Sequence, residues 1–304
     1  MKRDLASFAL LNEADLTAIF TLAQRIKNGS LKSFAPLSGK SVALVFERES
    51  LRTRVSFEVC VAQLGGFPIF LQQETIGIAT RESVHDIGTV LSQYNELIVA
   101  RTTKHQTCIQ LAESATVPVI NAMTDLVHPC QVLADVFTLK EMGRFSPSTK
   151  IVFVGNGNNI VNSWLEFAEK VPMHLVLSCP GGYEPHLQML EQARGTKRSK
   201  IEMIQNPVEA VKNADVVYTD VWPAPPAQKE KGKVRKAFRT YQVNPRLLAK
   251  AKPECVVMHR LPANRGEEIT SDVLDGKQSI VLQQAANRLH VQKGIIGHLL
   301  QSKA

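Results

Sequence analysis

The sequence lacks paired cysteines and long apolar runs. Its five cysteines are widely spaced and include no CxxC pair: Cys60, Cys108, Cys130, Cys179 and Cys255. This number and spacing argue against a disulfide framework and against a zinc site. No apolar stretch is long enough to span a bilayer, and the charged residues Lys2, Arg3 and Asp4 do not lead into a signal-peptide core. We therefore expect a soluble cytoplasmic protein with no membrane partner and no metal.

The sequence is also short of acidic residues. Lysine and arginine number 36 against 28 for aspartate and glutamate, so the formal net charge is +8. Most basic residues are interleaved with acidic ones along predicted helices, which is not typical of a nucleic-acid-binding patch. The exception is the segment 229–239, with six basic residues among eleven, which we interpret as a solvated mobile loop. A small anionic substrate explains the excess positive charge, and we expect no nucleic-acid partner.

What the sequence has is a regular alternation of strand and helix patterns. The apolar runs predicted as strands are 42–46, 68–71, 97–100, 117–120, 151–154, 174–177, 201–204, 216–219, 256–259 and 280–282. Helix patterns lie between them, and two more stand near the ends of the sequence. One is opened by Asn12 with Asp15 as a capping pair, and the other covers 285–300. Strands that alternate with helices form parallel sheets, so the predicted fold class is α/β.

Length and composition predict two domains. With 304 residues, 44% of them apolar, the chain exceeds one small core and suits two domains of about 150 residues each. The segment 143–148, rich in Gly, Ser and Pro, is the best candidate for the boundary. We expect two doubly wound parallel-sheet domains, 1–145 and 146–285, with the C-terminal helix in 286–304 crossing back to pack on the first.

The most informative local pattern is the run Ser50, Leu51, Arg52, Thr53 and Arg54, between a predicted strand and a predicted helix. A helix start offers backbone N–H groups without intrahelical acceptors and a positive dipole end, and the two arginines add guanidinium forks. This combination predicts an anion site, above all for phosphate. An ordinary serine N-cap followed by a solvated basic turn is the alternative.

Two further groups follow strands of the first half. Arg101 comes directly after the 97–100 strand, at the carboxyl end where open α/β sheets bind ligands, although a surface salt bridge would also explain it. His128 and Gln131 stand three residues apart at a helix start, so an imidazole and a carboxamide lie on one face and can hold one planar group. Taken alone, His128 would as often be a structural cap.

The second half carries a Gly-Asn pattern after its first strand. The run 155–159, GNGNN, has the start of a dinucleotide fingerprint, but Ile160 replaces the third glycine and no acidic residue ends the next strand. A nicotinamide site is therefore disfavoured. The pair Asn158 and Asn159 at a helix N-terminus suits a substrate carboxylate, and simple helix capping is the alternative, above all for Asn158.

Two later strands of the second half also end in polar residues. Asp220 directly follows one of them, where an exposed carboxylate would suit a substrate ammonium, and a capping role is the plain alternative. Another strand ends in His259, which Arg260 and Leu261 follow. The permanent charge of Arg260 would repel an ammonium unless Asp220 or another acid neutralises it.

Together these runs resemble the aspartate and ornithine carbamoyltransferase family, and within it the ornithine branch. The resemblance covers almost the whole chain, and its motifs stand in the family's order: SLRTR at 50–54, HPCQ at 128–131, GNN at 157–159, DVW at 220–222, HRLP at 259–262 and NRLH at 287–290. It implies the two-domain α/β fold and a reaction without a metal or an organic cofactor.

The resemblance implies a role for each matched residue. Carbamoyl phosphate would be bound by Ser50, Leu51, Arg52, Thr53, Arg101, His128, Gln131 and Arg288. Arg52, Thr53, Arg101 and His128 would be the catalytic residues among them, with His128 polarising the carbamoyl carbonyl while Gln131 holds the carbamoyl amide. Ornithine would be bound in the second domain by Asn159, Asp220, Arg260 and Leu261.

The chain departs from the family's usual sequence at several of these places. Leu51 stands where the family usually has threonine, which removes one hydroxyl and leaves the backbone donors. Arg260 stands in the place of a cysteine, and Ala286 in the place of an acidic residue. The run 224–226, Ala-Pro-Pro, replaces a flexible Ser-Met-Gly segment, and its two prolines predict a stiffer loop.

The implied reaction converts carbamoyl phosphate and L-ornithine to L-citrulline and phosphate, a transferase step of arginine biosynthesis. The resemblance also implies a homotrimer with sites near the subunit contacts. Because the departures fall on the side of the second substrate, transfer to another amine stays open, for example to an N-acylated ornithine, putrescine or an unassigned amino acid. A non-catalytic homologue that only binds carbamoyl phosphate also stays open.

Overall fold

The structure, a computed structural model, describes residues 2–31, 33–78, 80–223 and 231–301. The chain forms two compact units, one of Met1–Phe137 with Ala286–Ala304 and the other of Thr138–Ala285. Each unit contains one parallel sheet with helices, which confirms the predicted fold class. Within the described ranges, no helix combines the length and apolar character needed to cross a bilayer.

The first unit is built on apolar strands that are buried on both faces, as is usual for parallel sheets. Its strands are β1 (Ser41–Phe46), β2 (Phe67–Gln72), β3 (Leu97–Arg101) and β4 (Val119–Met123). Its helices are α1 (Glu13–Lys27), α2 (Leu51–Gln63), α3 (Gln73–Ile76), α4 (Val84–Tyr94), α5 (His105–Ser114) and most of α6 (Pro129–Glu141), with a 3-10 turn at Phe8–Leu10 before α1. The strand β2 is the exception to this burial, because it lies at the edge and all its residues are exposed or half-buried.

The first sheet has the strand order β2-β1-β3-β4. From β1 the chain continues to β2 at one edge of the sheet, and from β3 it continues to β4 at the other edge. The direction of strand addition therefore reverses between β1 and β3. Open α/β sheets bind ligands outside the carboxyl ends of their strands at such a switch point. The run that begins at Ser50 follows β1, and Arg101 ends β3, so these two predicted groups flank the switch point.

The second unit repeats the plan with five strands. They are β5 (Lys150–Val154), β6 (His174–Ser178), β7 (Lys200–Met203), β8 (Val216–Thr219) and β9 (Val256–His259). The helices are α7 (Asn159–Lys170), α8 (Leu187–Gly195), α9 (Pro207–Ala210), α10 (Lys231–Phe238), α11 (Pro245–Leu248) and α12 (Ser271–Leu274), with a 3-10 turn at Arg239–Tyr241. The strand order is β7-β6-β5-β8-β9, which puts the switch point between β5 and β8.

The last helix, α13 (Val281–Gln301), belongs to the first unit from Ala286 onward. There it packs closely on α1, because a Cβ added at Gly294 would stand 2.6 Å from the carbonyl oxygen of Ile19. Gln292 Nε2 donates to Ser56 Oγ of α2 at 2.9 Å. These contacts fix the C-terminal segment to α1 and α2 of the first unit.

The start of α1 agrees with the sequence, and the apolar run at 280–282 does not. Asn12 Oδ1 accepts the N–H of Asp15 at 2.9 Å and Asp15 returns the bond, so the predicted capping pair is confirmed. The strand predicted at 280–282 is wrong. Only an isolated bridge joins Ser279 to Val257 there, and the helix α13 starts at Val281.

The basic segment 229–239 is not the loop that its charge suggested, as far as the structure describes it. Residues Lys231–Phe238 form α10, and Val234 and Phe238, one turn apart, are buried in the second core. The Ala-Pro-Pro run at 224–226, for which the sequence predicts a stiff loop, lies outside the described residues. The units divide between Phe137 and Thr138, inside α6, whereas the sequence placed the boundary after residue 145.

Candidate active site

The run that begins at Ser50 forms a capped helix start beside the first switch point. Ser50 is the N-cap of α2, and its Oγ accepts the N–H of Thr53 at 3.2 Å. The serine cap that stood as the plain alternative is therefore present together with the arginines. Leu51 leaves 74% of its surface exposed, so its backbone N–H is the group that it offers to an anion. Arg52 is half-buried in the first turn.

The second arginine of the run belongs to a different environment. Arg54 is exposed, its Nε donates to Glu58 Oε1 at 2.9 Å, and its guanidinium carbon stands 3.7 Å from the ring centroid of Phe70. Its charge is therefore engaged along α2 and β2, and it serves the local structure of the helix.

Three distant parts of the chain meet at the hydroxyl of Thr53. Arg288 of α13 donates from Nη2 to Thr53 Oγ1 at 2.8 Å, and Arg101 of β3 donates from Nη1 to the same atom at 3.5 Å. Thr53 and Arg288 are buried, and Arg101 is half-buried. A hydroxyl has two lone pairs and one proton. The guanidinium N–H groups occupy the lone pairs of the Thr53 oxygen. The hydroxyl proton therefore points away from them and can donate a hydrogen bond.

An irregularity of the first sheet sets the position of Arg101. The register shifts between Ala100 and Arg101, which pair with Asn121 and Met123, so that β4 carries one extra residue. Such bulges change the direction of side chains at the ends of strands. Met123 has a φ of 149°, which residues with a side chain rarely adopt, and its Sδ accepts from Arg101 Nη1 at 3.4 Å. The end of β4 thus fixes the position of the Arg101 guanidinium.

The predicted His-Gln pair lies at the start of α6. His128 and Gln131 are both buried, and the N–H of Gln131 donates to the carbonyl oxygen of His128 at 3.1 Å. Gln131 Nε2 donates to Asp135 Oδ1 at 2.8 Å, while its buried Oε1 accepts no hydrogen bond from the described residues. Buried polar atoms normally have a partner. The carbonyl oxygen of Gln131 therefore suits the N–H of a bound amide.

Cys130 links the start of α6 to Arg288. Its thiol is buried and donates to the carbonyl oxygen of Asn121 at 3.3 Å. Burial raises the pKa of Cys130 to about 12, and the positive charge of Arg288 acts in the opposite direction. The segment that carries His128 is therefore within electrostatic reach of the Arg288–Thr53 contact.

In the second unit, the GNGNN run joins β5 to α7. Asn158 is the N-cap of α7, where its Oδ1 accepts the N–H of Ile160 at 3.0 Å, and Asn159 is the buried first residue of the helix. Gly157 is needed for close packing, because a Cβ there would stand 2.2 Å from the backbone nitrogen of Pro185. This glycine is thus explained without a dinucleotide.

Asp220 and Arg260 form an ion pair beside the second switch point. Thr219 and His259 are partners across β8 and β9, so the residues that follow them lie side by side. Arg260 Nε donates to Asp220 Oδ2 at 2.6 Å, and Asn158 Nδ2 donates to the same oxygen at 2.5 Å. The expectation of an exposed Asp220 carboxylate is wrong, because its side chain is 0% exposed. Asp220 neutralises Arg260, which is the condition under which this arginine would not repel an ammonium.

A buried His-Glu pair supports the turn that carries Arg260. Leu261 has a φ of 58°, and its N–H donates to His259 Nδ1 at 2.9 Å. Because this ring nitrogen accepts, the ring proton sits on Nε2, which donates to Glu268 Oε1 at 3.0 Å. His259 and Glu268 are both fully buried. The turn after β9 is therefore held in place by hydrogen bonds at both nitrogens of the His259 ring.

The structure joins Arg101 and Arg288 to Thr53 in the first unit, where His128 and Gln131 contact each other at the start of α6, and it joins Arg260 to Asp220 in the second unit. Sequence reasoning gave no partner role to two residues: Asn158, which binds Asp220, and Asp135, which binds Gln131. The i, i+4 spacing from Gln131 on a predicted helix could have indicated Asp135. No sequence pattern pairs Asn158 with Asp220, because strand order brings them together. In the part of the chain that the structure describes, no three His, Cys, Asp or Glu side chains gather as a metal site.

Both units are similar to domains of known proteins. Residues 3–141 match the family model of the aspartate/ornithine carbamoyltransferase carbamoyl-P binding domain, and residues 148–299 match that of the Asp/Orn binding domain. An ornithine carbamoyltransferase of Chlorobaculum tepidum is 48% identical over 304 residues, which cover 98% of this chain and 90% of the relative. One of Syntrophus aciditrophicus is 46% identical, with 99% and 100% covered. The solved ornithine carbamoyltransferase of Pyrococcus furiosus superimposes with a TM-score of 0.90 at 39% identity, with 97% and 96% covered.

Proposed function

The chain belongs to the aspartate/ornithine carbamoyltransferase family, and from that premise we propose that it transfers the carbamoyl group of carbamoyl phosphate to the δ-amine of L-ornithine. The products are L-citrulline and phosphate, as in arginine biosynthesis. The observation that carries the proposal is the contact of Arg101 and Arg288 with the hydroxyl of Thr53 at the first switch point. The ornithine carbamoyltransferases that align with nearly the whole chain support ornithine as the amine.

The first unit holds the phosphate at the start of α2. The first N–H groups of a helix have no intrahelical acceptor, so the amides of Leu51 and Arg52 face the anion together with the positive dipole end. The N–H of Thr53 is already bound by Ser50 Oγ, and Ser50 therefore keeps the loop in shape. Arg52 and Arg101 neutralise the charge that the phosphate carries as it leaves.

The same unit stabilises the carbonyl oxygen of the carbamoyl group. Thr53, Arg101 and His128 donate hydrogen bonds to this oxygen, where negative charge grows as the amine attacks. Preorganised donors of this kind are each worth about 3 kcal/mol of barrier in measured enzymes. Gln131 accepts the carbamoyl N–H at its buried Oε1, because its amide nitrogen is occupied by Asp135.

The second unit holds the amino acid through Asn159, Asp220, Arg260 and Leu261. Asp220 accepts from Arg260 at Oδ2, and its buried Oδ1 accepts no hydrogen bond from the described residues. The δ-amine reacts in its neutral form, and nearby cations favour that form because like charge lowers the pKa of an amine. The amine nitrogen bonds to the carbonyl carbon, the bond from this carbon to the phosphate oxygen breaks, and the proton lost by nitrogen ends on phosphate. The anhydride is already an activated acyl donor, so the step requires neither a metal nor an organic cofactor.

We also propose that the enzyme is a cytoplasmic homotrimer associated through its first unit. Large apolar side chains are exposed in pairs on three elements of that unit: Leu51 and Val55 on α2, Phe67 and Ile69 on β2, and Val90 and Tyr94 on α4. Copies of the chain that cover this surface in a closed ring would remove it from water. The five free, buried thiols suit a reducing compartment. Light scattering after gel filtration would contradict the trimer by giving the mass of a monomer.

The decisive assay incubates the purified protein with carbamoyl phosphate and a panel of amines: L-ornithine, an N-acylated ornithine and putrescine. We expect L-citrulline and phosphate from ornithine. The variant Arg101→Met should lose about 100- to 1,000-fold in kcat, since it removes a donor to the carbonyl oxygen. The matched control Arg54→Met removes a guanidinium from the same loop that Glu58 already holds, and it should keep the activity.

The outcomes separate the alternatives. Turnover of another amine without turnover of ornithine would replace the second substrate and keep the rest of the mechanism. Binding of carbamoyl phosphate without phosphate release for any amine would identify a non-catalytic homologue. Equal loss in the Arg101 and Arg54 variants would refute the site in the first unit.

A further inference from the structure

We propose that Asn121 is a positioning residue for the carbamoyl transfer, one that acts through Arg101 without touching the substrate. Its side chain holds the end of β4 in the conformation that keeps the Arg101 guanidinium beside Thr53. The inference rests on the proposed function and adds to it the residue on which the placement of one donor to the carbonyl oxygen depends.

Asn121 is fully buried in β4, and both ends of its side-chain amide form hydrogen bonds. Its Nδ2 donates to the carbonyl oxygen of Ala6 at 2.8 Å, and its Oδ1 accepts the N–H of Met123 at 2.9 Å. Ala6 belongs to a segment that lies along β4, because Leu5 before it pairs with Ile120 in an isolated parallel bridge. The N-terminal segment therefore fixes the amide, and the amide fixes Met123.

The bond between Met123 and Asn121 spans the irregularity of the first sheet. Asn121 pairs with Ala100 and Met123 pairs with Arg101, so Ala122 is the extra residue in the register of β3 and β4. Asparagine side chains readily accept the backbone N–H two residues further on. The side chain of Asn121 thus stabilises the bulge at the place where the backbone leaves the regular ladder.

Met123 requires this support because of its backbone conformation. Its φ of 149° is one that residues with a side chain rarely adopt. Such a conformation persists only where the surrounding structure over-determines it. Two hydrogen bonds hold Met123: its N–H donates to Asn121 Oδ1, and its carbonyl oxygen accepts the N–H of Thr102 at 3.1 Å. Loss of the first bond would allow Met123 to relax toward an ordinary strand conformation.

The conformation of Met123 affects Arg101 by direct contact. Arg101 Nη1 donates to Met123 Sδ at 3.4 Å and to Thr53 Oγ1 at 3.5 Å. The contact with Thr53 is at the upper limit of a hydrogen bond, so a small displacement of the guanidinium removes it. A donor stabilises a growing charge only when it is correctly placed, and a misplacement of about 1 Å can cost about 100-fold in rate.

A further contact of Asn121 leads to the start of α6, and the backbone carries it. The thiol of Cys130 donates to the carbonyl oxygen of Asn121 at 3.3 Å. A substitution of the Asn121 side chain keeps this carbonyl group, so the segment that carries His128 and Gln131 retains its contact. The effect of such a substitution can therefore be assigned to Arg101.

The test measures citrulline formation by Asn121→Ala at saturating carbamoyl phosphate. We expect kcat to fall about 10- to 100-fold and the KM for ornithine to stay near its native value, because only a donor of the first unit is displaced. Asn95→Ala is the matched control. Asn95 is also buried, and its Nδ2 donates to the carbonyl oxygen of Leu91 at 2.9 Å at the end of α4. This control should unfold at lower urea concentration and keep its kcat.

Two readouts separate a positioning role from a merely structural one. In the Arg101→Met background, Asn121→Ala should cost less than about 3-fold in kcat, because no guanidinium is left to displace. In the double variant Asn121→Ala, Met123→Gly, the glycine adopts the φ of 149° without a steric penalty. This variant should recover part of the lost kcat. It also relieves the strain that threatens folding, so it replaces Asn121→Ala in the comparison if the single variant does not fold.

Full additivity of the Asn121→Ala and Arg101→Met losses would overturn the inference, and so would a native kcat of Asn121→Ala. A double variant with Met123→Gly that is no more active than Asn121→Ala would overturn it as well, because strain at Met123 would then not be what Asn121 controls.

Failure of this inference is distinguishable from failure of the proposed function. If the native protein forms no product with any amine, the proposed function fails, and calorimetry with inorganic phosphate decides instead. Phosphate binding that Asn121→Ala weakens and Asn95→Ala leaves unchanged would support the inference. Phosphate binding that Asn121→Ala leaves unchanged, or that both variants weaken equally, would overturn it.

Discussion

The hydroxyl of Thr53 is the smallest unit on which the site depends. Its oxygen receives Arg288 at 2.8 Å and Arg101 at 3.5 Å, from segments that are far apart in the chain. Two guanidinium groups at the acceptor side of one hydroxyl orient its proton and make it a stronger donor, since hydrogen bonds that involve charged groups are the strong ones. We therefore expect the Thr53 hydroxyl to be a strong, oriented hydrogen-bond donor.

The first prediction concerns this hydroxyl. Thr53→Val keeps the shape of the side chain and removes the O–H, so we expect a loss of about 100- to 1,000-fold in kcat, the cost of removing one oriented donor. Citrulline formation at saturating substrates measures the effect. Thr53→Ser, which keeps the hydroxyl and removes the methyl group, is the matched control and should retain most of the activity. If both variants lose activity equally, packing and not the donor explains the role of Thr53.

The charge pairing of Asp220 and Arg260 could be predicted from the sequence, whereas the burial of Asp220 could not. The types of Asp220 and Arg260 and their places after two strands indicated that an acid could neutralise the arginine, and this is confirmed. The burial of Asp220 was predicted wrongly. Burial depends on which strands become neighbours, and the pairing of Thr219 with His259 is a property of the sheet that no local pattern carries.

At the scale of elements, the contact between α1 and α13 depends on a glycine. A Cβ at Gly294 would stand 2.6 Å from the carbonyl oxygen of Ile19 and 3.0 Å from the Cβ of Ala23. The carbonyl oxygen of Ile19 belongs to the backbone of α1, and the Cβ of Ala23 is fixed to the same helix. Neither atom belongs to a flexible side chain that could move aside. Close approach of these helices also places Arg288, on the same element, at Thr53.

The second prediction follows from this contact. Gly294→Ala should lower the free energy of unfolding by about 1–3 kcal/mol, the usual cost of overpacking, in spite of the better helix propensity of alanine. Urea unfolding measures the change. Gly195→Ala, at the end of α8 with nothing within 4 Å of the added Cβ, is the matched control and should be neutral or slightly stabilising. Similar stability of Gly294→Ala and the native protein would show that the two helices are free to separate.

Most elements were predictable because their patterns are local. The buried run 42–46 is apolar throughout, and the N-cap Asn12 precedes its partner Asp15 by three residues in the sequence. The run 280–282 failed because a short apolar run fits a strand or a helix equally well. Within the basic segment, the burial of Val234 and Phe238 at a spacing of four decided for a helix. This spacing of four is present in the sequence, but the six basic residues around it favoured a solvated loop.

At the scale of the whole molecule, both units enclose their cysteines. Burial raises the pKa of four thiols to about 12, those of Cys108, Cys130, Cys179 and Cys255, and it raises that of Cys60 further. The thiolate is the reactive form, and a raised pKa keeps it scarce at every pH below that value. Folding therefore protects all five thiols from reaction.

The third prediction is that the native protein does not react with an aromatic disulfide reagent between about pH 7 and 9, because its thiols stay protonated and covered. In denaturant all five should react, which absorbance of the released thiolate would count. Free glutathione in the same buffer controls for the reagent. One thiol that reacts rapidly in the native protein would contradict the burial of that cysteine.

The discontinuity of the first unit has a consequence for biosynthesis. Its sheet comes from the first part of the gene, whereas α13, which supplies Arg288 and seats Gly294 on α1, is translated last. The second unit is continuous from Thr138 to Ala285, so it is the one that can finish on the ribosome. The first unit is complete only after Ala286 and the residues that follow it have been synthesised, because Arg288 then donates to Thr53 and Gly294 packs on α1.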